Sequence, residues 1–526
     1  MKWNHLINAR NRSILISNSI FQQYFAQNFC TETNRTDYKI AIIGSGPAGF
    51  YTSQQLLKVS QFRFRFINYK SINVSSKYSN LSVDIYEKFP VPFGLVRFGV
   101  APDHQEVKNV INTFTKVATN VRTRFIGNLT IGKDVKLDEL RDAYHAVVLC
   151  YGSSQDNQLN LENEHRFGNI FSARRFVGWY NGIPQDKDIE ISLKVKTAII
   201  VGQGNVALDC ARILLSCPKR LKTTDITSHA SRELSESLVK KVILIGRRGP
   251  FQGAFRIKEF RELTKIDDCQ VKFDWPESSR KKLNLDDSII DSLPRSRKRL
   301  AELFKKTIEE SKIDRGCSKE CHFKFFSSPI ELISDGIEPK PMIKRIRFKK
   351  NTLNDYFAED ARIIENHQVG EEEDSIEEID CGLLIKSIGY RAISIDDSIP
   401  FDHKKGTILN ENGRVTNNPG VYCSGWAAFG ATGVIVNTMN NSFEVGKLIT
   451  EDIESGKLDS DSIKLGYEQI KPILENRNAE VVDFIDWQKI DAYEKELGQK
   501  EGKPREKIVS VEKILDVKNA EFRDKD

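Results

Sequence analysis

The chain of 526 residues is 39% hydrophobic, 29% charged and 9% aromatic, with 79 Lys and Arg against 73 Asp and Glu, a formal net charge of +6. At about 150 residues per domain, its length suggests roughly two to four domains. The composition excludes a disordered chain, a collagen-like chain and a small disulfide scaffold. No stretch approaches the roughly 18 consecutive apolar residues of a membrane-spanning helix, and the charge surplus is too slight to mark a nucleic-acid binder.

The first 31 residues contain no Asp or Glu but carry Lys2, Arg10 and Arg12 among Ser, Asn and scattered apolar residues. A secretory signal has a continuous apolar core, which this segment lacks. An acid-free, Arg-bearing, amphipathic start reads as an organelle transit peptide over residues 1–36. That reading places the protein in the mitochondrion.

Tyr38–Ile43 is a short apolar, β-branched run and is predicted to be a buried parallel strand. Gly44-Ser-Gly46-Pro-Ala-Gly49 follows directly, then FYTSQQLLK with helical spacing. This is Gly-x-Gly-x-x-Gly between a strand and a helix, the context that gives the motif meaning. Gly44 allows the turn, Gly46 lets a pyrophosphate approach the backbone, and Gly49 lets the helix pack on the strand. The helix N-terminus offers N–H groups and partial positive charge to phosphates. Ser82–Tyr86 is predicted as the second strand, and Glu87 at its end can accept both ribose hydroxyls of an adenosine. The usual spacing from motif to acid is about 20 residues. Here it is longer, and the excess, QFRFRFINYKSINVSSKYSN over 61–80, reads as a surface insertion.

A second such unit begins at Lys196–Val201, another predicted buried strand. Gly202-Gln-Gly204-Asn-Val-Ala207 and the helix LDCARILL follow it. The strand that should end in an acid, Lys241–Ile245, ends instead in Gly246-Arg247-Arg248-Gly249. Guanidinium forks suit the 2′-phosphate of NADP, which a carboxylate would repel. An acid at the first site fits FAD or NAD, and arginines at the second fit NADP. The economical combination is a flavoprotein that takes hydride from NADPH. Nine scattered cysteines include no Cys-x-x-Cys, so a redox dithiol and a Cys-ligated cluster lack their signatures, and no metal site is expected. The closest pair, Cys317 and Cys321, would share a face on a helix.

Long segments carry a resemblance. They are EKFPVPFGLVRFGVAPDHQEVKNVINTF from Glu87, FSARRFVGWYNG from Phe171, VGQGNVALDCARILL from Val201, and IGRRGPFQGAFRIKEFRE from Ile245. CGLLIKSIGYR from Cys381, VYCSGWAAFGATGVIVNTM from Val421 and GKPREK from Gly502 complete them. In these the chain closely resembles the mitochondrial NADPH–ferredoxin reductases, the adrenodoxin reductase family, from Tyr38 to Lys507. It departs in the insertion before Ser82, in 265–380, and at Ala427-Ala428-Phe429, where the family carries charge.

The resemblance implies an α/β fold of two Rossmann-like, doubly wound domains, with an NADP domain (153–389) inserted into a discontinuous FAD domain (37–152 and 390–526). It implies FAD contacts at Ala48, Glu87, Leu95, Ile131, Trp426, Gly433, Val434 and Ile435. For NADPH it points to Gln203, Gly204, Asn205, Val206, Arg247, Arg248 and Glu259. The physical reading agrees where Gly430–Gly433 opens the helical run that follows, since that N-terminus could face the flavin or its pyrophosphate.

The function implied is hydride transfer from NADPH to FAD, then release of single electrons to an acidic [2Fe–2S] ferredoxin. That ferredoxin would feed cytochrome P450, iron–sulfur or haem pathways in the mitochondrial matrix, with at most peripheral membrane association. His104 and Asp209 are the candidate polar pair near the nicotinamide; they relay a proton or hold the ring, unless Asp209 only bonds a loop. Segment 278–312 carries ten Lys and Arg against six Asp and Glu. Arg295, Lys298 and Arg299 in PRSRKRL match the family's basic cluster and are the expected docking residues, although a charge run is often only a solvated face. A flavin monooxygenase also carries two dinucleotide motifs, and a nucleotide-sensing protein is a further rival. The intact glycines and the arginine pair disfavour the latter.

Overall fold

The β-branched runs that end in glycine become parallel strands of two sheets. The structure, a computed structural model, describes residues 37–66, 80–274, 276, 279, 286–336, 340–364, 376–459 and 462–520. The expected transit peptide, residues 67–79 of the insertion, the cations at 280–282 and 371–375 of the acidic stretch lie outside these.

The first sheet starts from β1 (Asp37–Ile43), which α1 (Pro47–Phe66) follows. The helix continues through the first six residues of the insertion. β2 (Asn80–Tyr86), β3 (Thr123–Ile126) and β4 (Ala146–Leu149) complete its N-terminal part. The order is Asn410–Glu411, Arg414–Val415, Val421–Cys423, β4, β1, β2, β3; the last five are parallel and the first two antiparallel, so three strands are supplied from late in the chain. Strand alternation divides the core between two faces. Ile40, Ile42, Val83 and Ile85 fill one face, and Ala41, Ile43, Tyr86, Val147 and Leu149 the other.

The second sheet is built from β5 (Ile170–Ser172), β6 (Thr197–Val201), β7 (Lys241–Ile245), β8 (Cys269–Asp274), β9 (Lys319–Lys324) and β10 (Leu383–Lys386). Its order is β5-β10-β6-β7-β9-β8, parallel throughout. Between β9 and β10 the chain forms an antiparallel sheet of Ser327–Ile333, Arg345–Lys350 and Ile376–Asp380. Helices α2 (Asn205–Leu215), α3 (Ile257–Leu263) and α4 (Arg295–Ser311) belong to this region. Cys321 lies fully buried on strand β9, not on a helix with Cys317.

The chain leaves the first sheet after β4 and returns after β10, and the two crossings pair with each other. Gln155–Asp156 runs antiparallel to Tyr390–Arg391, and Asn157 Nδ2 donates to Ile388 O at 3.1 Å. After the return come α5 (Ile435–Glu454) and α6 (Phe484–Lys500). α5 crosses α1 at Gly446, where an added Cβ would stand 2.8 Å from Gln55 Cβ.

The GKPREK segment ties these parts together through buried charge. Glu494 of α6 accepts from Arg97 Nη1 (2.9 Å), Arg505 Nη1 (3.2 Å) and Ile508 N (2.9 Å). Asp225, from the region of the second sheet, accepts from Lys108 Nζ at 2.6 and 2.7 Å and pairs with Lys507 Nζ at 3.1 Å. Lys507 Nζ also donates to Asn181 Oδ1 at 3.1 Å.

Candidate functional site

Two strand–turn–helix units present the same distinction among their glycines. At the end of β1, Gly44 N donates to Tyr86 O (2.7 Å) and Gly44 has φ +109°. A Cβ on it would stand 2.5 Å from Cys150 O, and one on Gly49 would stand 2.0 Å from Gly44 O. Packing alone accounts for these two. Around the Cβ position of Gly46 nothing lies within 4 Å. The protein has no need of a glycine there, but a phosphate resting on the α1 N-terminus does.

Glu87 is buried and turns its carboxylate back onto this turn. Oε2 accepts from Ser45 N (2.9 Å) and Ser45 Oγ (2.7 Å), and Oε1 from Phe89 N (3.1 Å). A carboxylate has about four acceptor directions. Glu87 therefore braces the Gly-rich turn and retains acceptor capacity for a hydroxyl. Ala48 is buried beneath Gly425, whose added Cβ would lie 2.6 Å from Ala48 Cβ. Leu95, on the short helix Gly94–Phe98, is 37% exposed, and that helix begins against Gly46. Ile131 packs into the apolar cluster with Leu129 and Val135, so its side chain is core.

The second unit repeats the pattern. Gly202 has φ +123°, and a Cβ there would stand 2.0 Å from Ser387 O. Gly204 again has nothing within 4 Å, and Ala207 in the third position is fully buried. Asn205 opens α2 and its Oδ1 accepts from Arg256 N at 2.9 Å; Val206 is half-buried. Gln203 lies over the strand ends, its Nε2 near Leu244 O (3.5 Å) and Lys324 O (3.4 Å). Arg247 is exposed and Arg248 half-buried. Their turn is pinned by Asn351 Nδ2 on Arg247 O (2.7 Å) and Phe326 N on Arg248 O (3.1 Å). Among the described residues neither guanidinium has a carboxylate partner, which leaves both available to an anion.

At the return crossing, the rings of Tyr390 and Trp426 lie 6.2 Å apart. Gly433 has φ +78°, and Val434 N donates to Asn437 Oδ1 (3.2 Å) as α5 begins at Ile435. Phe429 and Val436 flank this turn with 42% and 58% exposure, apolar surface that a planar ring system would cover.

His104 and Asp209 do not bond each other in this structure. His104 Nε2 lies 2.6 Å from Glu262 Oε2 on α3. Glu262 Oε2 is also 3.7 Å from Arg212 Nη1, and Arg212 Nη1 is 2.8 Å from Asp209 Oδ1. Arg212 forks onto Asp103 as well, at 2.6 and 3.0 Å. Burial raises the pKa of Asp209, with the charges of Arg212 and His104 pulling it back. Burial pushes Asp103 up too, but there the Arg212 fork prevails and the net shift is downward. The pair is thus the two ends of a network whose centre, Arg212 and Glu262, sequence reasoning missed. An arginine inside the apolar run LDCARILL was the available signal. On the same helix as Glu262, Glu259 Oε2 is buried and has no hydrogen-bond partner. An orphaned acceptor three residues after Arg256, whose N–H donates to Asn205, fits a ligand hydroxyl.

Arg295, Lys298 and Arg299 lie in the first turns of α4. Lys298 pairs with Asp291 at 2.7 Å, while Arg295 and Arg299 are exposed and carry no ion pair among the described residues. Of these three cations, the two that carry no ion pair among the described residues are therefore Arg295 and Arg299.

A family model described as pyridine nucleotide-disulphide oxidoreductase matches residues 38–251. Of the cysteines described, none is in a disulfide. The chain is 44% identical to the mitochondrial NADPH:adrenodoxin oxidoreductase of Bos taurus, over 94% of each chain. It is 37% identical to the Arabidopsis thaliana protein of the same name, over 94% of this chain and 98% of that one. Among solved structures, FprA of Mycobacterium tuberculosis in complex with NADPH superimposes with a TM-score of 0.80 at 31% identity, covering 92% of this chain and all of that one. With two Gly-rich cradles, an acid after one and an arginine pair after the other, and with relatives this similar along almost its whole length, the chain belongs to the NADPH:adrenodoxin oxidoreductase family.

Proposed function

We infer that the protein is a mitochondrial flavoprotein oxidoreductase that uses NADPH to reduce a [2Fe–2S] ferredoxin of the adrenodoxin type. The observation that carries this is the doubled cradle. Gly46 and Gly204 are the glycines whose missing side chains only a ligand explains, and the acceptor beside the first has the opposite charge to the donors beside the second. When bound, the cofactor supplies conversion of a two-electron hydride input into single-electron output.

FAD would be held by residues of 37–152 and 390–526. Gly44, Gly46, Ala48 and Gly49 would form its turn, Glu87 would take the ribose, and Leu95, the main chain at Ile131 and Trp426 would border the cofactor. Gly433, Val434 and Ile435 bring the α5 N-terminus towards it. NADPH would be held within 153–389. There the turn Gln203–Val206 meets the phosphates, Arg247 and Arg248 the 2′-phosphate, and Glu259 a hydroxyl. His104, oriented by Glu262, and Asp209, held by Arg212, would position or exchange a proton beside the reacting rings. Arg295, Lys298 and Arg299 would receive the acidic ferredoxin. A basic face towards an acidic partner speeds encounter more than it adds affinity.

The test is cofactor content and turnover. The purified protein should carry about one FAD per chain and reduce an adrenodoxin-type ferredoxin with NADPH. Protein that stays colourless after reconstitution with FAD would contradict the reading.

A further inference from the structure

Arg297 sits inside PRSRKRL, between the two free arginines, but it is not presented as they are: its side chain is 20% exposed. Its guanidinium turns away from solvent and onto the segment 356–359 and the carbonyl of Phe251. Nη1 donates to Phe357 O (3.1 Å), Nη2 reaches Phe251 O (3.5 Å), and Nη2 pairs with Glu359 Oε1 (2.6 Å).

The same segment is also held by the turn that follows β7. Gln252 Nε2 donates to Tyr356 O (3.2 Å) and Ala358 O (2.6 Å), while Gln252 Oε1 accepts from Gly249 N (3.0 Å). The rings of Phe251 and Phe357 lie 5.4 Å apart. Arg248 Nη1 reaches Glu359 O at 3.4 Å. Residues 356–359 are thus a wedge between the basic helix and the arginine pair.

The charge on Glu359 is what makes this arrangement matter. Its side chain is 82% exposed and belongs to the residue whose carbonyl Arg248 already touches. Left free, it could swing to Arg248 and compete with a 2′-phosphate for the same fork. Arg297 draws it the other way. We propose that Arg297 is a positioning residue for NADPH selectivity: it fixes the wedge under the Arg247–Arg248 turn and sequesters the Glu359 carboxylate, so that both guanidinium groups stay open to the 2′-phosphate. This rests on the assignment of Arg247 and Arg248 to NADPH.

The test compares KM for NADPH and for NADH in the FAD-loaded enzyme. Arg297→Ala should raise KM for NADPH about tenfold, the worth of roughly one charge-assisted contact. It should leave kcat and KM for NADH unchanged. Adding Glu359→Gln to Arg297→Ala should restore most of the loss, because the competing charge is gone. Arg297→Lys, which keeps a cation for Glu359 but loses the fork on the carbonyls, should lie between and serves if the alanine variant does not fold. Equal rises for both coenzymes, or no rescue by Glu359→Gln, would overturn the proposal. A wild-type enzyme indifferent to NADPH over NADH would instead overturn the assignment of the arginine pair on which it stands.

Discussion

Gly202 and Gly204 are two residues apart and fail for different reasons when a methyl group is added. At Gly202 the backbone is left-handed and the Cβ would stand 2.0 Å from a main-chain oxygen. Gly202→Ala should therefore destabilise the fold by at least about 2 kcal/mol, since neither strain nor contact can relax cheaply. At Gly204 the space is open. Gly204→Ala should leave the thermal midpoint unchanged and raise KM for NADPH tenfold or more. Thermal melts set beside coenzyme titrations distinguish the two. Both glycines, Glu87 and the arginine pair were legible in the sequence, because each sits at a fixed offset from its own strand. The partner of His104 was not. Glu262 is 158 positions away and reaches it only through the packing of α3, and ion pairs of that reach leave no periodic trace. Nor could a motif show that Glu87 would brace its own turn through Ser45.

At the scale of elements, strands followed by glycine were readable because a buried parallel strand is a run of β-branched residues closed by a turn. The antiparallel sheet within 327–380 was not. Arg345–Lys350 alternates charged with apolar residues, yet its partner Ile376–Asp380 lies well downstream and the pairing is non-local. A basic run carries no mark of which cations share a face, and α4 separates those of 295–299. Arg297 and Lys298 are engaged within the protein, and Arg295 and Arg299 face outward unpaired. Replacing both outward arginines by Ala should raise KM for the ferredoxin and flatten the salt dependence of its reduction. Exposed charges are screened beyond about 8–10 Å at physiological ionic strength, so the wild-type rate should fall with added salt. The rate of NADPH oxidation with a small artificial acceptor should be far less sensitive. Equal salt sensitivity of the two rates would remove α4 as the docking element.

Across the whole molecule, the two sheets are held at one orientation by the paired crossings and by the C-terminal segment. GKPREK was legible as a shared motif but not as a clamp, since Lys507 reaches Asn181 and Asp225 in the region of the second sheet while Arg505 reaches Glu494 on α6. Asp225 serves two buried lysines. Removing it by Asp225→Ala leaves both buried lysines without their acid and should cost about 3–5 kcal/mol, read from denaturant unfolding. Burial lowers Lys507 to about 7, with Asp225 opposing and Lys108 adding to the fall. Between that value and the ordinary lysine value near 10.5, the unfolded chain binds a proton that the folded chain releases. Stability from this group therefore rises with pH across that window. From pH 7 to 9 the wild-type melting temperature should climb relative to that of Lys507→Met. An identical pH dependence in the two proteins would show that this lysine titrates normally.

The central claim is that one chain brings a tightly held flavin to an NADPH-selective site. Anaerobic stopped-flow mixing of the purified enzyme with NADPH or NADH tests it most directly. The account predicts rapid loss of the flavin absorbance band with NADPH, much slower loss at equal NADH, and recovery of the band when oxidised ferredoxin is added. Bleaching at the same rate by both coenzymes, or a band that NADPH leaves untouched, would contradict it.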